Sequence, residues 1–300
     1  MKLRTLLKPC LLLVTALLSG ACQVHYAGQT LASPSPPKLN MRYSLESEVR
    51  DIVYTEAGWP QALRADLYLP RRDDLMPVVL TIHGGGWANR DRADMGDISQ
   101  QLAEHGYAVL NVDYRFAPRY TFPAQLDDLH QALRWIVANA ERYRFDLDRI
   151  NAWGYSSGAH LAALLGSFDR SAAAPAVRKL PRLRAIVAGG IPADLRKYDD
   201  SPVVERFLGG KADQIPQRYA EASPVYHVSA DDPPVFLYHG KLDLLVTLDQ
   251  PEDYYATLLA NGVEAELYLH SWRGHATMFL FGSDAETRAI DFLERTNAVG

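Results

Sequence analysis

The pattern G-Y-S-S-G at residues 154–158 matches G-x-S-x-G, in which a serine lies on a sharp turn between a strand and a helix. A strand-like segment, 150–153, precedes it and a helix-like segment, 160–165, follows it. The two glycines permit a tight backbone that lifts the Ser156 hydroxyl clear of the sheet. Because a serine hydroxyl is a weak nucleophile without an adjacent base, the motif indicates acyl transfer by Ser156 only if such a base follows.

Asp243 and His275 complete the order serine, acid, histidine that accompanies this turn. Asp243 follows an apolar strand in H-G-K-L-D, and His275 follows the last predicted strand in R-G-H. Both are expected on loops at the carboxyl ends of strands, where open parallel sheets bind ligands. Asp249 is a competing acid, but its place at the start of a predicted helix favours a capping or first-turn role. Other histidines are predicted to be structural or on the surface: His105, His130, His227 and His270.

The loop H-G-G-G-W at residues 83–87 comes directly after a buried strand. Its glycines leave room for a substrate carbonyl to approach backbone N–H groups, which acyl transfer needs to stabilise the developing oxyanion. A flexible turn or a phosphate-binding loop is the alternative. The spacing does not match G-x-G-x-x-G and the sequence has no P-loop motif, so nucleotide binding is not expected.

The elements that must position these residues alternate between short apolar runs and helical patterns, which predicts a mostly parallel sheet with helices on both faces. The predicted strands cover residues 51–56, 63–69, 77–82, 107–112, 150–153, 184–189, 234–239 and 264–269. The predicted helices cover residues 95–105, 123–140, 157–167, 249–261 and 284–295. Residues 191–230 break the rhythm and are predicted to be a cap-like insertion near the active face.

The chain has 300 residues, of which 48% are hydrophobic and 22% are charged, and this composition fits one large globular domain. The net charge is −5, and removal of residues 1–21 takes away three basic residues and no acid, leaving −8. That balance argues against a nucleic-acid partner, which needs a basic face. The only cysteines are Cys10 and Cys22, so neither a disulfide framework nor a cysteine zinc site is available.

The N-terminus has the features of an export signal. A basic start is followed by a short apolar run and by small residues up to Ala21, which predicts a signal peptide over 1–21. L-S-G-A-C at 18–22 is similar to a bacterial lipoprotein box, so Cys22 is a candidate for lipidation, with ordinary cleavage after Ala21 as the alternative. In such lipoproteins the residue after the cysteine influences the location, and Gln23 at this position would favour the outer membrane. Residues 22–45, rich in serine and proline, are predicted to be a tether, and 46–300 a catalytic domain.

From about residue 50 onward the chain resembles the α/β-hydrolase esterases of the hormone-sensitive-lipase-like group, including acetyl-xylan and feruloyl esterases. The resemblance lies in H-G-G-G-W, D-Y-R-F-A-P at 113–118, G-Y-S-S-G, H-G-K-L-D and the final G-H. It implies an oxyanion hole from Gly85, Gly86 and the N–H of Ser157. It also implies that His83 braces the glycine loop and that D-Y-R is a structural motif at a strand end.

We therefore expect an α/β-hydrolase fold and a serine esterase for small-molecule, short-acyl esters, with Ser156 as nucleophile, His275 as base and Asp243 as its orienting acid. No cofactor or metal is expected. Contact with a membrane is expected only through the N-terminal lipid. Trp87 and Tyr155, with aromatic and apolar residues of the insertion, are candidates to line the substrate pocket: Tyr198, Phe207, Leu208, Tyr219 and Tyr226. The alternatives are an amidase similar to kynurenine formamidase and a non-catalytic binding lipoprotein on the same fold. Oligomeric state is not predicted.

Overall fold

The computed structural model of the protein describes residues 23–26, 29–32, 39, 43–167 and 175–298. Ten strands lie in these residues: β1 (Gln23–Tyr26), β2 (Gln29–Ala32), β3 (Leu45–Val53), β4 (Arg64–Pro70), β5 (Met76–Ile82), β6 (Ala108–Val112), β7 (Phe145–Tyr155), β8 (Ala185–Gly189), β9 (Val235–Gly240) and β10 (Ala265–His270). They form one sheet in the order β2-β1-β10-β9-β8-β7-β5-β6-β4-β3. The six strands from β5 to β10 pair in parallel, while β3, β4, β1 and β2 are antiparallel additions at the two edges.

The helices of the described residues pack on both faces of this sheet. They are α1 (Gly96–Glu104), α2 (Ala124–Ala138), α3 (Ala140–Tyr143), α4 (Ser157–Ser167), α5 (Pro175–Arg178), α6 (Pro202–Leu208), α7 (Pro216–Glu221), α8 (Pro224–His227), α9 (Asp249–Ala260), α10 (His275–Phe281) and α11 (Ser283–Asn297). Every residue of β5 is buried. Val78 and Leu80 belong to one apolar core and Val79 to another, so both faces of the strand are covered. No helix in the described part of the chain has the length and apolarity needed to cross a membrane.

The predicted α/β-hydrolase architecture is confirmed. Each of the eight predicted strands and five predicted helices overlaps an observed one. Residues 191–230, predicted as a cap-like insertion, contain three short helices, α6 to α8, and a 3₁₀ turn at Leu195–Tyr198. Proline stands at the first position of α6, α7 and α8, where its fixed backbone and missing N–H are tolerated.

The N-terminal part differs from the predicted tether over 22–45. β1 pairs with the edge strand β10, and β2 pairs with β1. The physical reason is that an edge strand has unpaired backbone N–H and C=O groups, which a passing segment can satisfy. The predicted signal peptide, 1–21, and Cys22 lie outside the described residues.

A buried ion pair holds the segment after β6. Asp128 on α2 is fully enclosed and accepts hydrogen bonds from the backbone N–H of Arg115 (2.9 Å), from Arg115 Nε (2.7 Å) and from Trp59 Nε1 (2.7 Å). Arg115 Nη2 also donates to the carbonyl of Ala124 (2.8 Å). Arg115 belongs to D-Y-R-F-A-P, so this pair fixes the segment that packs beneath the glycine loop.

We predict that Asp128→Ala lowers the free energy of unfolding by about 3–5 kcal/mol, because it leaves the Arg115 guanidinium buried without a counter-charge. Urea unfolding monitored by tryptophan fluorescence measures this loss. The control is Asp253→Ala, which removes an exposed partner of Lys197 and is expected to cost at most about 1 kcal/mol. Equal losses in the two variants would contradict this assignment.

Candidate active site

Ser156 lies between the end of β7 and the start of α4 with a left-handed backbone, φ +54°. The turn is tight enough to exclude side chains on either side. A Cβ at residue 154 would lie 2.2 Å from the carbonyl carbon of Gly158, and one at residue 158 would lie 2.1 Å from the carbonyl oxygen of Ile82. The N–H of Ser156 donates to Gly189 O (2.7 Å), which fixes the turn against β8. Both glycines of the motif are thus required by close backbone packing.

The structure brings together the three residues predicted to form the triad. Ser156 Oγ lies 2.9 Å from His275 Nε2, and His275 Nδ1 lies 2.6 Å from Asp243 Oδ2. The three side chains come from three separate segments of the chain, since His275 follows Ser156 by 119 residues and Asp243 by 32 residues. The sequence predicted His275 on a loop, but in the structure it is the first residue of α10. The contact with the carboxylate places a proton on Nδ1 and leaves Nε2 free to accept one from the serine.

The Asp243 carboxylate is held on its other side by the backbone. Its Oδ1 accepts hydrogen bonds from the N–H groups of Leu245 (2.9 Å) and Val246 (2.8 Å). Burial alone would raise the pKa of Asp243, but the hydrogen bond from His275 and that from the N–H of Val246 bring this pKa below its usual value. Asp243 is therefore an ionised acceptor fixed in one orientation.

The loops that carry Asp243 and His275 are packed onto each other. Leu242 N donates to Arg273 O (2.9 Å), and Lys241 N donates to His270 O (2.9 Å). A Cβ at residue 240 would lie 2.2 Å from Arg273 O, so Gly240 is needed for this approach. Asp249, the competing acid, lies in the first turn of α9, where it contacts Lys197 (2.6 Å).

A second histidine, His239, lies beside the acid and was not predicted from the sequence. His239 is fully buried, with its Nε2 2.9 Å from Val246 O and 3.5 Å from Asp243 Oδ2. Burial lowers the pKa of His239, so it is neutral and donates from Nε2 to Val246 O. This bond closes the turn that carries Asp243. The residue is part of H-G-K-L-D, so its position was visible in the sequence, but its direction into the core was not.

The glycine loop lies directly against the serine turn. A Cβ at residue 84 would lie 3.1 Å from Tyr155 O and 3.4 Å from Ser156 Cβ. Gly85 and Gly86 have φ +115° and +60°, and a Cβ at residue 85 would lie 2.1 Å from Asn89 O. These positions need glycine for backbone and space alike.

His83 is beneath this loop and not beside Ser156. Its ring stacks on Tyr114 with 4.4 Å between ring centroids, and its Nδ1 lies 2.6 Å from Gly84 O. Burial lowers the pKa of His83, so the ring is neutral and donates from Nδ1 to the loop carbonyl. Tyr114 also donates to His83 O (3.1 Å). The D-Y-R segment and His83 therefore support the loop from below.

Ser156 and His275 open into a cavity of about 910 Å³, which is within the range of small-molecule sites. Gly85, Gly86 and Ser157, predicted to form the oxyanion hole, line this cavity, as do the candidate substrate-binding residues Trp87 and Tyr155. The Tyr155 hydroxyl donates to His275 O (2.7 Å) and so also fixes the start of α10. In the described residues, no group of three or more His, Cys, Asp or Glu side chains is arranged to hold a metal ion.

The insertion covers the cavity with fewer aromatic residues than predicted. Tyr198 lines it, but Phe207 lies behind the wall, stacked on Trp87 with 4.3 Å between centroids. Leu208 and Tyr219 are buried in the core, and Tyr226 is 52% exposed and outside the lining. The reason is that short helices bury one face each, and the sequence alone does not tell which face meets the cavity. Residues of the insertion that do line it are Pro192, Tyr198, Ser201, Val203, Val204 and Arg206.

An acidic residue in the cavity wall, Glu286 on α11, was not predicted. Burial, together with the negative charges of Asp284 and Asp97, raises the pKa of Glu286 to about 7. Asp97 lines the same wall. Glu286 lies 130 residues after Ser156 in the sequence, and no spacing pattern links the two.

The raised pKa of Glu286 predicts a pH-dependent stability. Between its ordinary pKa of 4.5 and about 7, folded Glu286 keeps a proton that the unfolded chain has released, so the free energy of unfolding falls as pH rises. We expect the wild-type minus Glu286→Gln difference in this free energy to fall by about 3 kcal/mol across the window. Urea unfolding of both proteins from pH 4 to 8 measures it. A difference that stays constant with pH would contradict the buried, protonated carboxyl.

The BD-FAE family matches residues 65–258, more than half of the chain, and this region includes Ser156 and Asp243. The chain is 31% identical to the probable carboxylic ester hydrolase LipM of Mycobacterium tuberculosis over 76% of its own length and 55% of the relative's. It is 29% identical to the isoprenylcysteine alpha-carbonyl methylesterase ICME of Arabidopsis thaliana over 89% and 64% of the two lengths. The chain spans 51–59% of the length of three mycobacterial relatives, LipM, LipC and LipQ.

Solved structures show the same fold. A truncated carbohydrate esterase from gut microbiota superposes with a TM-score of 0.74 at 22% identity, covering 88% of this chain and 99% of that one. Esterase 2 of Thermogutta terrifontis, with butyrate bound, gives 0.70 at 20% identity, covering 85% and 94%. The sheet order, the serine turn and these matches agree, and the chain belongs to the BD-FAE family with an α/β-hydrolase fold.

Proposed function

We propose that the protein is a carboxylic-ester hydrolase that works through an acyl-enzyme on Ser156. The observation that carries this proposal is the chain of hydrogen bonds from Ser156 through His275 to Asp243 at the floor of an open cavity. The names of the curated relatives, which include carboxylic ester hydrolases and methylesterases, support the same reaction class.

In the proposed acylation step, His275 Nε2 takes the proton from Ser156 Oγ as that oxygen attacks the ester carbonyl. The imidazolium that forms is stabilised by the Asp243 carboxylate 2.6 Å away. His275 then gives the proton to the departing alcohol as the C–O bond breaks. In the second half, water attacks the acyl-enzyme with His275 again as the base, which releases the acid and restores Ser156.

Backbone N–H groups of Gly85, Gly86 and Ser157 are proposed to stabilise the oxyanion. The loop geometry supports this, because Gly84 lies against Ser156, the next two glycines have positive φ, and His83 and Tyr114 hold the loop from below. Ser157 is the first residue of α4, so its N–H is at a helix N-terminus, which favours negative charge. All steps use side chains, backbone groups and water.

The proposed acyl group is short, as in acetyl esters. Val203 of α6 lies so close to the glycine loop that a Cβ at residue 86 would be 3.1 Å from its Cγ1. Behind it, the stacked rings of Trp87 and Phe207 fill the space. This narrow side of the cavity supports a small acyl chain.

We also propose export and attachment through Cys22. The support is the basic start, the apolar run and the L-S-G-A-C sequence of residues 1–22. Mass spectrometry of the N-terminal peptide from membranes distinguishes a diacylglyceryl cysteine from a free N-terminus at residue 22.

We predict that Ser156→Ala and His275→Ala each lower kcat for p-nitrophenyl acetate by about 10⁴-fold or more, because nucleophile and base act as one unit. Asp243→Asn is expected to lower kcat by about 10³–10⁴-fold, since it loses the acceptor that sets the imidazole tautomer. His227→Ala, a histidine in the insertion and outside the cavity lining, serves as the matched control with unchanged kcat.

Rates near background for the folded wild type would contradict the esterase. Turnover of N-formylkynurenine, lost in Ser156→Ala, would then establish the amidase alternative. Binding of a small molecule without turnover of either substrate would support the alternative of a non-catalytic binding lipoprotein.

A second prediction concerns acyl length. For p-nitrophenyl esters, kcat/KM is expected to fall by about tenfold or more from acetate to octanoate, because added methylenes meet the wall near Val203. Val203→Ala should reduce this ratio, while Val137→Ala, an exposed valine on α2, should leave it unchanged. A wild-type rate that rises with chain length would contradict the short-acyl assignment.

A further inference from the structure

Six large apolar side chains are exposed beside the mouth of the cavity, and we call them the apolar collar. They are Leu242 (54% exposed), Leu244 (93%), Leu245 (65%), Trp272 (66%), Leu280 (65%) and Phe281 (62%). Exposed apolar residues scattered singly are ordinary, but a cluster of this size marks an interaction surface. The collar is therefore a feature that the hydrolytic steps leave unexplained.

The collar is continuous because its three segments are packed together. The loop with Leu242 is hydrogen-bonded to the loop after Trp272 through Leu242 N and Arg273 O (2.9 Å). The second loop runs directly into α10, which carries Leu280 and Phe281. All three segments follow the carboxyl ends of β9 and β10, at the edge of the sheet where the cavity opens.

The collar is also continuous with the cavity. Leu245 and Leu280 are exposed to solvent and line the space that contains Ser156. His275, which would protonate the departing alcohol, begins the helix that carries Leu280 and Phe281. The alcohol side of the site thus opens toward the collar, and an apolar alcohol can reach Ser156 along an apolar path.

The direction of the N-terminal strand indicates what covers the collar. β1 is antiparallel to β10, with Gln23 opposite Leu269 and Tyr26 opposite Glu266. The chain therefore enters the sheet at the carboxyl end of β10, opposite Leu269, and Leu269 is three residues before Trp272. Cys22 is one peptide bond before Gln23, so a lipid on Cys22 would join the protein at the collar's edge of the sheet.

We propose that the apolar collar inserts into a lipid bilayer and turns the cavity toward the membrane surface. Tryptophan and leucine at such a surface suit the interface between headgroups and acyl chains. Resting on the proposed esterase function, this assigns the substrate class as short-acyl esters of apolar, membrane-held alcohols, which enter from the bilayer.

Trp272 provides a direct test, because it is far more exposed than the buried Trp87 and Trp153. The full chain is added to phosphatidylcholine vesicles whose acyl chains carry bromine, a quencher of indole fluorescence. We expect a blue shift and quenching of emission, both lost in Trp272→Phe. The same quenching is expected in Ser156→Ala, so membrane insertion is measured independently of catalysis.

Charges placed in the collar should abolish insertion. In L244D/F281D, quenching by brominated lipid should disappear, and hydrolysis of dodecyl acetate held in vesicles should fall by about tenfold or more. Neither residue lines the cavity, so hydrolysis of dissolved p-nitrophenyl acetate should be unchanged. The matched control is Leu75→Asp, an exposed leucine (55%) just before β5, at the amino-terminal ends of the parallel strands and away from the collar, which should keep full quenching.

Two results would overturn the proposal. In the first, Trp272 remains accessible to iodide in the aqueous phase and is not quenched by brominated lipid. In the second, the blue shift appears without vesicles and grows with protein concentration, which would assign the collar to contact between two copies of the chain. Quenching without any ester hydrolysis would instead leave insertion intact and remove the esterase function.

Discussion

The left-handed backbone at Ser156 is the constraint on which the rest of the site depends. It exists because residues 154 and 158 have no Cβ, so that α4 can begin against the end of β5 at a distance no side chain permits. A non-glycine residue with positive φ is strained and persists only where the surroundings enforce it. Here the bond from Ser156 N to Gly189 O and the close contact with Gly84 do so.

Around this turn, each catalytic candidate is held by a different part of the sheet. The glycine loop follows β5 and is supported by His83 and Tyr114, while the Asp243 turn follows β9 and is closed by His239. His275 is fixed by a helix start and by the Tyr155 hydroxyl. Because each group is held by hydrogen bonds to neighbouring elements, the serine, imidazole and carboxylate are already within hydrogen-bond distance of one another. Residues of the insertion and of the collar form the walls and the mouth of the cavity.

Much of this organisation was predictable from the sequence because it rests on local patterns. Apolar runs and helical spacing located eight of the ten strands and five of the eleven helices in the described residues, and the motif order selected Ser156, Asp243 and His275. What could not be predicted depends on tertiary packing: which face of α6 meets the cavity, that Glu286 joins its wall, that His239 points at the acid, and that β1 extends the sheet. Tyr226 illustrates the limit, since its aromatic character suggested a pocket residue and packing left it exposed.

Activation of Ser156 as a nucleophile can be measured by reaction with a fluorophosphonate followed by peptide mass spectrometry. We predict a single phosphonyl adduct on Ser156 at neutral pH, which is abolished by His275→Ala although Ser156 is still present. Ser157, the adjacent hydroxyl, is buried and hydrogen-bonded near Tyr114, and should remain unmodified. A folded protein that shows no adduct, or one that is labelled equally well without His275, would contradict the activation of Ser156 by His275.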